Sequence, residues 1–144
     1  MNNSMNTWQD KVASIGLLAL RIGFGCFMLV HGIGKVTNFE AMSTAFPDPI
    51  GMGSKTSLIL AIGAEVGCSL LLIVGLATRL AVIPLAATMI VALFLVHAAD
   101  PWQKKELAAV FLTVYVALFF TGGGVFSLDH MLWSRGKSKL KKAE

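Results

Sequence analysis

Charged side chains are scarce in this 144-residue sequence: only 14% of the residues are Asp, Glu, Lys or Arg, whereas 56% are hydrophobic. A soluble domain carries about 25% charged residues, so the deficit excludes an ordinary soluble globule, a disordered tail and the usual nucleic-acid-binding module. The only two cysteines, Cys26 and Cys68, both lie in apolar stretches, which argues against a disulfide-bonded exported scaffold. The mean hydropathy of +0.73 instead predicts a membrane protein whose partner is the lipid bilayer.

Four apolar segments follow one another along the chain, and each has about the length that crosses 30 Å of hydrocarbon. They cover residues 12–35, 58–76, 80–97 and 107–126, and the last one ends at residue 121 unless the glycines at 122–124 stay helical. None alternates apolar and polar residues with the period of two that is typical of a barrel strand. The expected fold is all-α, a four-transmembrane-helix bundle over residues 12–130 with a long outer loop at 36–57. Residues 1–11 precede this domain, and a basic tail follows at 131–144.

Lysine and arginine are distributed unequally between the two ends of the predicted bundle. The end that holds the amino terminus, the turn at 77–79 and the carboxyl tail carries seven of them, and the opposite end carries four. Because positive residues concentrate on the cytoplasmic side of a membrane, we expect both termini in the cytoplasm and the loop 36–57 outside.

Six ionisable residues interrupt the apolar segments or mark their ends. They are Arg21, His31, Lys35, Glu65, His97 and Glu106. An ionisable side chain inside a bilayer costs a few kcal/mol or more, so each one needs a partner and is a functional candidate. From the helical rise, His31 lies about 7 Å, Glu65 about 10 Å and Arg21 about 22 Å below the outer surface. Most of the polar set therefore gathers in the outer half.

Arg21 and Glu65 are the two opposite charges that lie well inside the predicted spans. Arg21 shares one helical face with Met28 and Lys35, and the glycines on that face indicate that it points into the bundle. Two interpretations stay open. Arg21 and Glu65 form a structural ion pair that locks the first two helices, or they take part in chemistry in which Glu65 carries a proton.

His31 and His97 are expected near the same surface, and three interpretations of them stay open. They are hydrogen-bonded or interfacial side chains, they handle a ligand or a proton, or, less favoured, they ligate a haem or a metal. No single helix holds a recognised metal-ligand spacing, so no metal ligand is assigned. Cys26 and Cys68 have similar predicted depths, which is compatible with a thiol pair, although packing is the favoured interpretation.

A series of short motifs occurs in a definite order along the chain. The series is Leu20-Arg21, His31-Gly32 with Lys35, Glu65 with Gly67, Gly75-Leu76-Ala77-Thr78-Arg79, His97, and Ser127-Leu128-Asp129. In order and spacing it resembles the DoxX family of small four-helix bacterial membrane proteins, over residues 17–129. The family often has Gly-Pro-Gly where this chain has Gly122-Gly123-Gly124. The resemblance implies a multi-pass protein of the bacterial cytoplasmic (inner) membrane, in a family associated with quinone-linked oxidation of thiosulfate and with responses to oxidative stress.

Three functions are compared on this basis. The first is a subunit of a quinone-linked oxidoreductase that needs a second redox subunit and is open to homo-oligomerisation. The alternative is a non-catalytic scaffold or assembly subunit, and the third is a small-solute or proton transporter. For the first function the candidate catalytic residues are Arg21, His31, Glu65 and His97. Its candidate quinone pocket consists of Phe24, Phe27, Met28, Phe94, Lys35 and Glu106. Whether the chain is catalytic alone is left open, and quinone is the favoured ligand.

Overall fold

The computed structural model describes residues 3–140, and it describes side chains for residues 8–134. Residues 1–2 of the predicted amino-terminal segment and 141–144 of the predicted basic tail lie outside the described part. The regular structure of the described residues is entirely helical, which confirms the all-α prediction. The helices are α1 (Asn3–Thr37), α2 (Phe39–Met42), α3 (Ser54–Val74), α4 (Thr78–Val96), α5 (Trp102–Thr121) and α6 (Leu128–Leu140).

Three of these helices, α1, α3 and α4, are long and apolar enough to cross a bilayer. α5 has 20 residues, but Lys104, Lys105 and Glu106 lie near its beginning, so a fourth crossing stays a prediction. Large apolar side chains such as Val30, Leu80 and Phe120 are more than half exposed on the outside of the bundle. This apolar exterior suits a protein that is embedded in lipid.

The glycines at 122–124 end α5 at the shorter of the two limits that the sequence left open. Gly122 and Gly124 both have a φ of +74°, a left-handed conformation that cannot continue a right-handed helix. α5 therefore stops at Thr121, and the conditional extension of the predicted fourth segment to residue 126 is wrong, because residues 122–126 belong to the following turn. Beyond this turn the chain is helical again over Leu128–Leu140.

The core lies where α1 and α3 meet α4 and α5. Its buried members include Met28, Leu72, Leu85, Phe111 and Tyr115. α3 is not uniformly α-helical, because its residues Gly63–Cys68 form a π-helical segment. Two consecutive residues of that segment, Ala64 and Glu65, are both buried. Such π-bulges change the direction of the side chains and occur often at functional sites.

The two ends of the bundle have different structures. The loop end is formed by residues 38–53 and by the connection between α4 and α5. The turn end is formed by the short connection between α3 and α4 together with residues 122–127. At the turn end, the Asp129 carboxylate accepts hydrogen bonds from the backbone N–H groups of Ala77 at 2.6 Å and Thr78 at 2.8 Å. The Asp129 N–H donates in return to the Gly75 carbonyl at 3.0 Å. Asp129 thereby satisfies the free N–H groups at the start of α4.

The Asp129→Ala substitution is expected to lower the free energy of unfolding by about 1.5–3 kcal/mol, because it removes a charged acceptor from two backbone N–H groups. Asp129→Asn keeps one acceptor oxygen and is expected to cost about half as much. Denaturant titration of the purified protein measures both values. Asp10→Ala, which removes an exposed carboxylate from α1, is the matched control. Equal stability of Asp129→Ala and Asp10→Ala would contradict the capping role.

Candidate functional site

A cavity of about 810 Å³ opens at the loop end between the four long helices. Its walls are mostly apolar, with Met28 from α1, Ala61 from α3, Met89 from α4 and Phe111 from α5. Small alanines line it where larger side chains would fill the space, as at Ala64 and Ala108. The cavity therefore has the volume and the apolar lining of a site for a small organic molecule.

A buried ion pair forms the polar part of the cavity wall. Lys35 donates from Nζ to Oε2 of Glu65 at 2.5 Å and so joins α1 to α3. The Glu65 side chain is 5% exposed and that of Lys35 is 20% exposed, so the pair is nearly removed from solvent. A carboxylate at that depth requires a counter-charge, which Lys35 supplies.

Two glycines explain how α1 approaches α3 closely enough for this pair. A Cβ atom at Gly32 would lie 2.7 Å from Val66 Cγ2 and 3.1 Å from Glu65 Cβ. A Cβ atom at Gly25 would lie 2.6 Å from Ile73 Cγ1. Only glycine permits this separation of the helices, and the close approach places Lys35 within reach of Glu65.

The two histidines lie on the cavity lining but have different surroundings. His31 is exposed and meets the Phe111 ring edge to face, with ring centroids 6.0 Å apart. His97 Nδ1 lies 2.7 Å from Asp100 Oδ2, and Asp100 also accepts a longer bond from Lys104 at 3.5 Å. The hydrogen bond from His97, together with the charge of Lys104, lowers the pKa of Asp100.

Residues of the long loop cover the mouth of the cavity. Phe46, Pro47 and Ile50 line it from this side. Asp48 holds the loop in place, because its carboxylate accepts hydrogen bonds from the Ser57 hydroxyl at 2.7 Å and from the N–H groups of Met52 at 2.9 Å and Gly53 at 2.7 Å. The loop is therefore tied to the first turn of α3 next to the cavity.

The loop is expected to loosen in acid. The hydrogen bond from Ser57, followed by those from the backbone, lowers the pKa of Asp48 below its ordinary value of 3.8. A lowered pKa in the folded state means that the stabilisation is complete above the ordinary value and is lost as the pH falls through the lowered one. The protection factors of the amides in residues 50–57, which are exchange rates corrected for the intrinsic pH dependence of amide exchange, should thus stay constant from neutral pH to about pH 4 and fall below it. In Asp48→Asn the protection factors of these amides should already be low at neutral pH and should not fall further in acid. A further fall below pH 4 in this variant would contradict the role of Asp48.

The structure brings together five of the ten residues that the sequence analysis proposed for the functional site. Met28, His31, Lys35, Glu65 and His97 all line the cavity. Four of the other five lie elsewhere. Phe24 packs edge to face on Phe111 but does not line the cavity, and Glu106 is exposed on α5. Phe27 and Phe94 are each 62% exposed on the outside of the bundle. The proposed aromatic wall is corrected accordingly, because Phe27 and Phe94 point outward.

Arg21 is the fifth, and the hypothesis that it pairs with Glu65 is also corrected. The Arg21 side chain is completely buried, and its Nη2 donates to the Phe126 carbonyl at 2.8 Å at the turn end. Side chains on a helix lean toward its amino terminus. α1 begins at the turn end and α3 begins at the loop end, so Arg21 and Glu65 lean away from each other. By the same rule Lys35 leans back into the bundle, where it meets Glu65.

Sequence reasoning missed several cavity residues. Phe111 is the most prominent, since it is 3% exposed and its ring contacts Phe24, His31 and Tyr115. A signal existed in the sequence, because Phe111 and Tyr115 are four residues apart and share a helical face. The contribution of the loop had a weaker signal in Phe46-Pro47, an aromatic residue followed by a proline in the connection between α1 and α3.

The cysteines and metal-ligating residues form no further site in residues 8–134. Cys26 is exposed, Cys68 is half-buried, and both are free thiols. No group of three or more His, Cys, Asp or Glu side chains within that range is placed to hold a metal ion.

The fold and the cavity together define a class: a small helical membrane protein with an apolar cavity and a buried ion pair in its wall. The chain belongs to the DoxX family, whose family model matches residues 16–98, from α1 to the turn after α4. This confirms the resemblance seen in the motifs. No solved structure matches the chain significantly.

Two relatives match nearly the whole chain. One is a Bacillus subtilis (strain 168) protein named "Putative oxidoreductase CatD", which is 29% identical over 130 residues, 90% of this chain and 96% of the relative. The other is an uncharacterised protein of Haemophilus influenzae, which is 29% identical over 133 residues, 88% of this chain and 97% of the relative. Both relatives have nearly the same extent as this chain.

Proposed function

We propose that this chain is the membrane subunit of a quinone-linked oxidoreductase and that the cavity holds the quinone ring. The observation that carries the proposal is the combination of about 810 Å³ of mainly apolar space with the buried Lys35–Glu65 pair on its wall. Ligand sites of about 300–1,000 Å³ typically combine apolar walls with a few polar groups that fix the orientation of the ligand. The name of the Bacillus subtilis relative also favours a redox role.

The residues of the cavity suit the chemistry of a quinone. Its ring is flat and apolar, and the rings of Phe111 and His31 offer aromatic edges and faces. Its two oxygens accept hydrogen bonds, and Lys35 and the histidines can donate them. A bound quinone would supply the electron acceptor, while the chain binds the ring, orients it and excludes water. The electrons must then come from a second redox subunit.

The orientation and location of the protein are part of the same proposal. α5 acts as the fourth span, the termini and the turn end face the cytoplasm, and the loop end faces outward in the bacterial inner membrane. The excess of lysine and arginine near the turn end, with Lys11, Arg79 and the tail beyond Ser134, supports this orientation. In this arrangement the cavity opens toward the outer surface.

Filling the cavity should weaken binding of the ligand. Ala61 lines the cavity, whereas Ile59 on the same helix is 51% exposed on the outside. Ala61→Phe is expected to weaken binding of a short-chain ubiquinone analogue by about tenfold or more, and Ile59→Phe is expected to leave it unchanged. Calorimetric titration of the protein in nanodiscs measures both affinities. If the two variants bind as tightly as the original protein, the ligand does not occupy this cavity.

A structural role is the second candidate function, and the position of Arg21 favours it. Arg21 is fully buried far from the cavity, where it contacts the turn end and no ligand site. A scaffold subunit would need its buried charges only to fix the pairing of its helices. In that case Ala61→Phe, which fills the cavity, should leave the activity per molecule of a partner enzyme unchanged.

A further inference from the structure

Of the two histidines that line the cavity, only His97 has a carboxylate partner within residues 8–134. Its Nδ1 lies 2.7 Å from Oδ2 of Asp100. The backbone holds this pair together, because the Asp100 N–H donates to the His97 carbonyl at 3.0 Å. Lys105 supports the same connection by donating from Nζ to the Ala98 carbonyl at 2.6 Å. The pair is therefore fixed by the turn that joins α4 to α5.

The charge of Asp100 determines which ring nitrogen of His97 carries the proton. The hydrogen bond from His97 lowers the pKa of Asp100 below its ordinary value of 3.8, so this carboxylate is ionised at neutral pH. An ionised carboxylate only accepts hydrogen bonds, so Nδ1 must be the donor. In the neutral ring Nε2 then carries a lone pair. Nε2 makes no hydrogen bond within residues 8–134, so it remains for a ligand of the cavity that His97 lines.

We propose that Asp100 is a positioning residue, and that the tautomer it fixes makes Nε2 of His97 the atom that exchanges a proton with the ligand of the cavity. The exchange rests on the proposed function, whereas the tautomer does not. Nε2 accepts a hydrogen bond when the ring is neutral and donates one when the ring is protonated, so it suits both the hydroxyl and the carbonyl oxygens of a quinone pair. In both states Nδ1 keeps its proton and its bond to Asp100.

The proton transfer balances with the electrons of the proposed reaction. Reduction of a quinone consumes two electrons and two protons. His97 gives one proton: the Nε2–H bond breaks, an O–H bond forms at the nearer ring oxygen, and the electron pair of the broken bond stays on Nε2. The two electrons come from the second redox subunit, and the second proton comes from water at the cavity mouth. His97 regains its own proton from the same water, because its side chain is 36% exposed.

The other titratable side chains of the cavity are less suited to this role. They are His31, Lys35, Glu65 and Lys104. Lys35 and Glu65 are paired with each other, and Lys104 is 3.5 Å from the Asp100 carboxylate. His31 has no carboxylate partner within residues 8–134 to stabilise a protonated ring. His97 combines a ring nitrogen that is free for a ligand with a carboxylate that stabilises the imidazolium.

The tautomer can be tested in the protein without any ligand. Nitrogen NMR of the protein with isotope-labelled histidine, recorded at alkaline pH, distinguishes the Nδ1–H from the Nε2–H form, and His97→Gln assigns the signal. We expect the Nδ1–H form in the original protein and a shift toward Nε2–H in Asp100→Ala. The matched control Lys104→Met removes the longer contact of Asp100 and should keep the Nδ1–H form. Nε2–H in the original protein, or unchanged Nδ1–H in Asp100→Ala, would overturn the role of Asp100.

The proton exchange is tested by calorimetric titration of the protein in nanodiscs with an oxidised ubiquinone analogue. Titrations in buffers of different ionisation enthalpy give the number of protons taken up on binding. At pH 8, where an imidazole in water is neutral, we expect a net uptake of up to about one proton, because a carbonyl oxygen favours the protonated ring. His97→Gln should abolish the uptake and Asp100→Ala should reduce it. The exposed His130→Gln change is the control and should not alter it.

Each result decides a different part of the proposal. No uptake in the original protein, or equal uptake in His97→Gln, would overturn the proton exchange while quinone binding still stands. Equal uptake in Asp100→Ala would overturn the positioning role. If the analogue does not bind at all, the proposed function fails together with the exchange, while the NMR signal still decides whether Asp100 fixes the tautomer.

Discussion

Gly75→Ala is expected to lower the free energy of unfolding by about 3 kcal/mol or more. Gly75 has a φ of +72°, which strains any residue with a Cβ. The added Cβ would also overlap Nη1 of Arg21 and lie 2.8 Å from Ser127 Cβ. The guanidinium cannot move aside, because it is fully buried and held by the Phe126 carbonyl. Denaturant titration of the purified protein measures the loss.

Alanine substitutions at two other glycines distinguish the cost of the backbone strain at Gly75 from the cost of the steric clash with Arg21. Gly51 has a φ of +74° with no atom near the position of its Cβ, so Gly51→Ala carries the strain alone and should cost about 1 kcal/mol. Gly16 lies in α1 with neither strain nor a neighbouring atom, so Gly16→Ala should be neutral or slightly stabilising. If Gly75→Ala cost no more than Gly51→Ala, the tight packing of Arg21 against the turn would be wrong.

The Lys35–Glu65 pair is expected to show strong coupling between its two members. Lys35→Met leaves the Glu65 carboxylate buried without its counter-charge and should cost about 2–3 kcal/mol, less than a fully buried pair because Lys35 is partly exposed. The Lys35→Met/Glu65→Leu double variant replaces both charges and should regain most of the lost stability. A double-mutant cycle of unfolding free energies measures the coupling. The exposed Lys55→Met change in the same region is the control and should have no effect.

The same double variant separates a binding role from a structural one. If the pair orients a ligand, the refolded, stable double variant should bind the ubiquinone analogue about tenfold more weakly or worse, because the Lys35 donor is lost. A scaffold subunit would recover its function together with its stability. Additive stability losses in the two single variants would contradict the ion pair itself.

Much of the fold could be predicted because long apolar segments leave few alternatives. A run of apolar residues in lipid must satisfy its own backbone, so segments such as 58–76 and 80–97 could only become helices. The tight turn at Gly75 to Arg79 followed from its short length. The end of α5 was less predictable, since glycines at 122–124 allow both a helical and a left-handed backbone, and their φ values decide.

The sequence could predict at which depth the residues of the candidate site lie, but not which of them pairs with Glu65. Helical rise located His31, Lys35 and Glu65 correctly in one half of the bundle, where all three line the cavity. The partner of Glu65 depends on the direction in which each side chain leans along its helix, and this direction cannot be calculated from the helical rise alone. The π-helical segment around Glu65 gave no sequence signal, although it helps turn this carboxylate inward.

The contribution of the loop was the least predictable part. Asp48 looks like any polar loop residue, and only the folded loop brings Ser57, Met52 and Gly53 around its carboxylate. Residues that are close in sequence but arranged by a turn follow no helical periodicity, so no pattern indicated which of them would cover the cavity.

The most direct test of the central claim is photolabelling of the protein in nanodiscs with an azido-ubiquinone, followed by peptide mapping. We expect labels on cavity residues such as Met28, Met42 and Phe111, and competition by unlabelled quinone. We also expect Ala61→Phe to remove them. Labels confined to lipid-facing residues such as Phe27 and Phe120, without competition, would contradict a quinone site in this cavity.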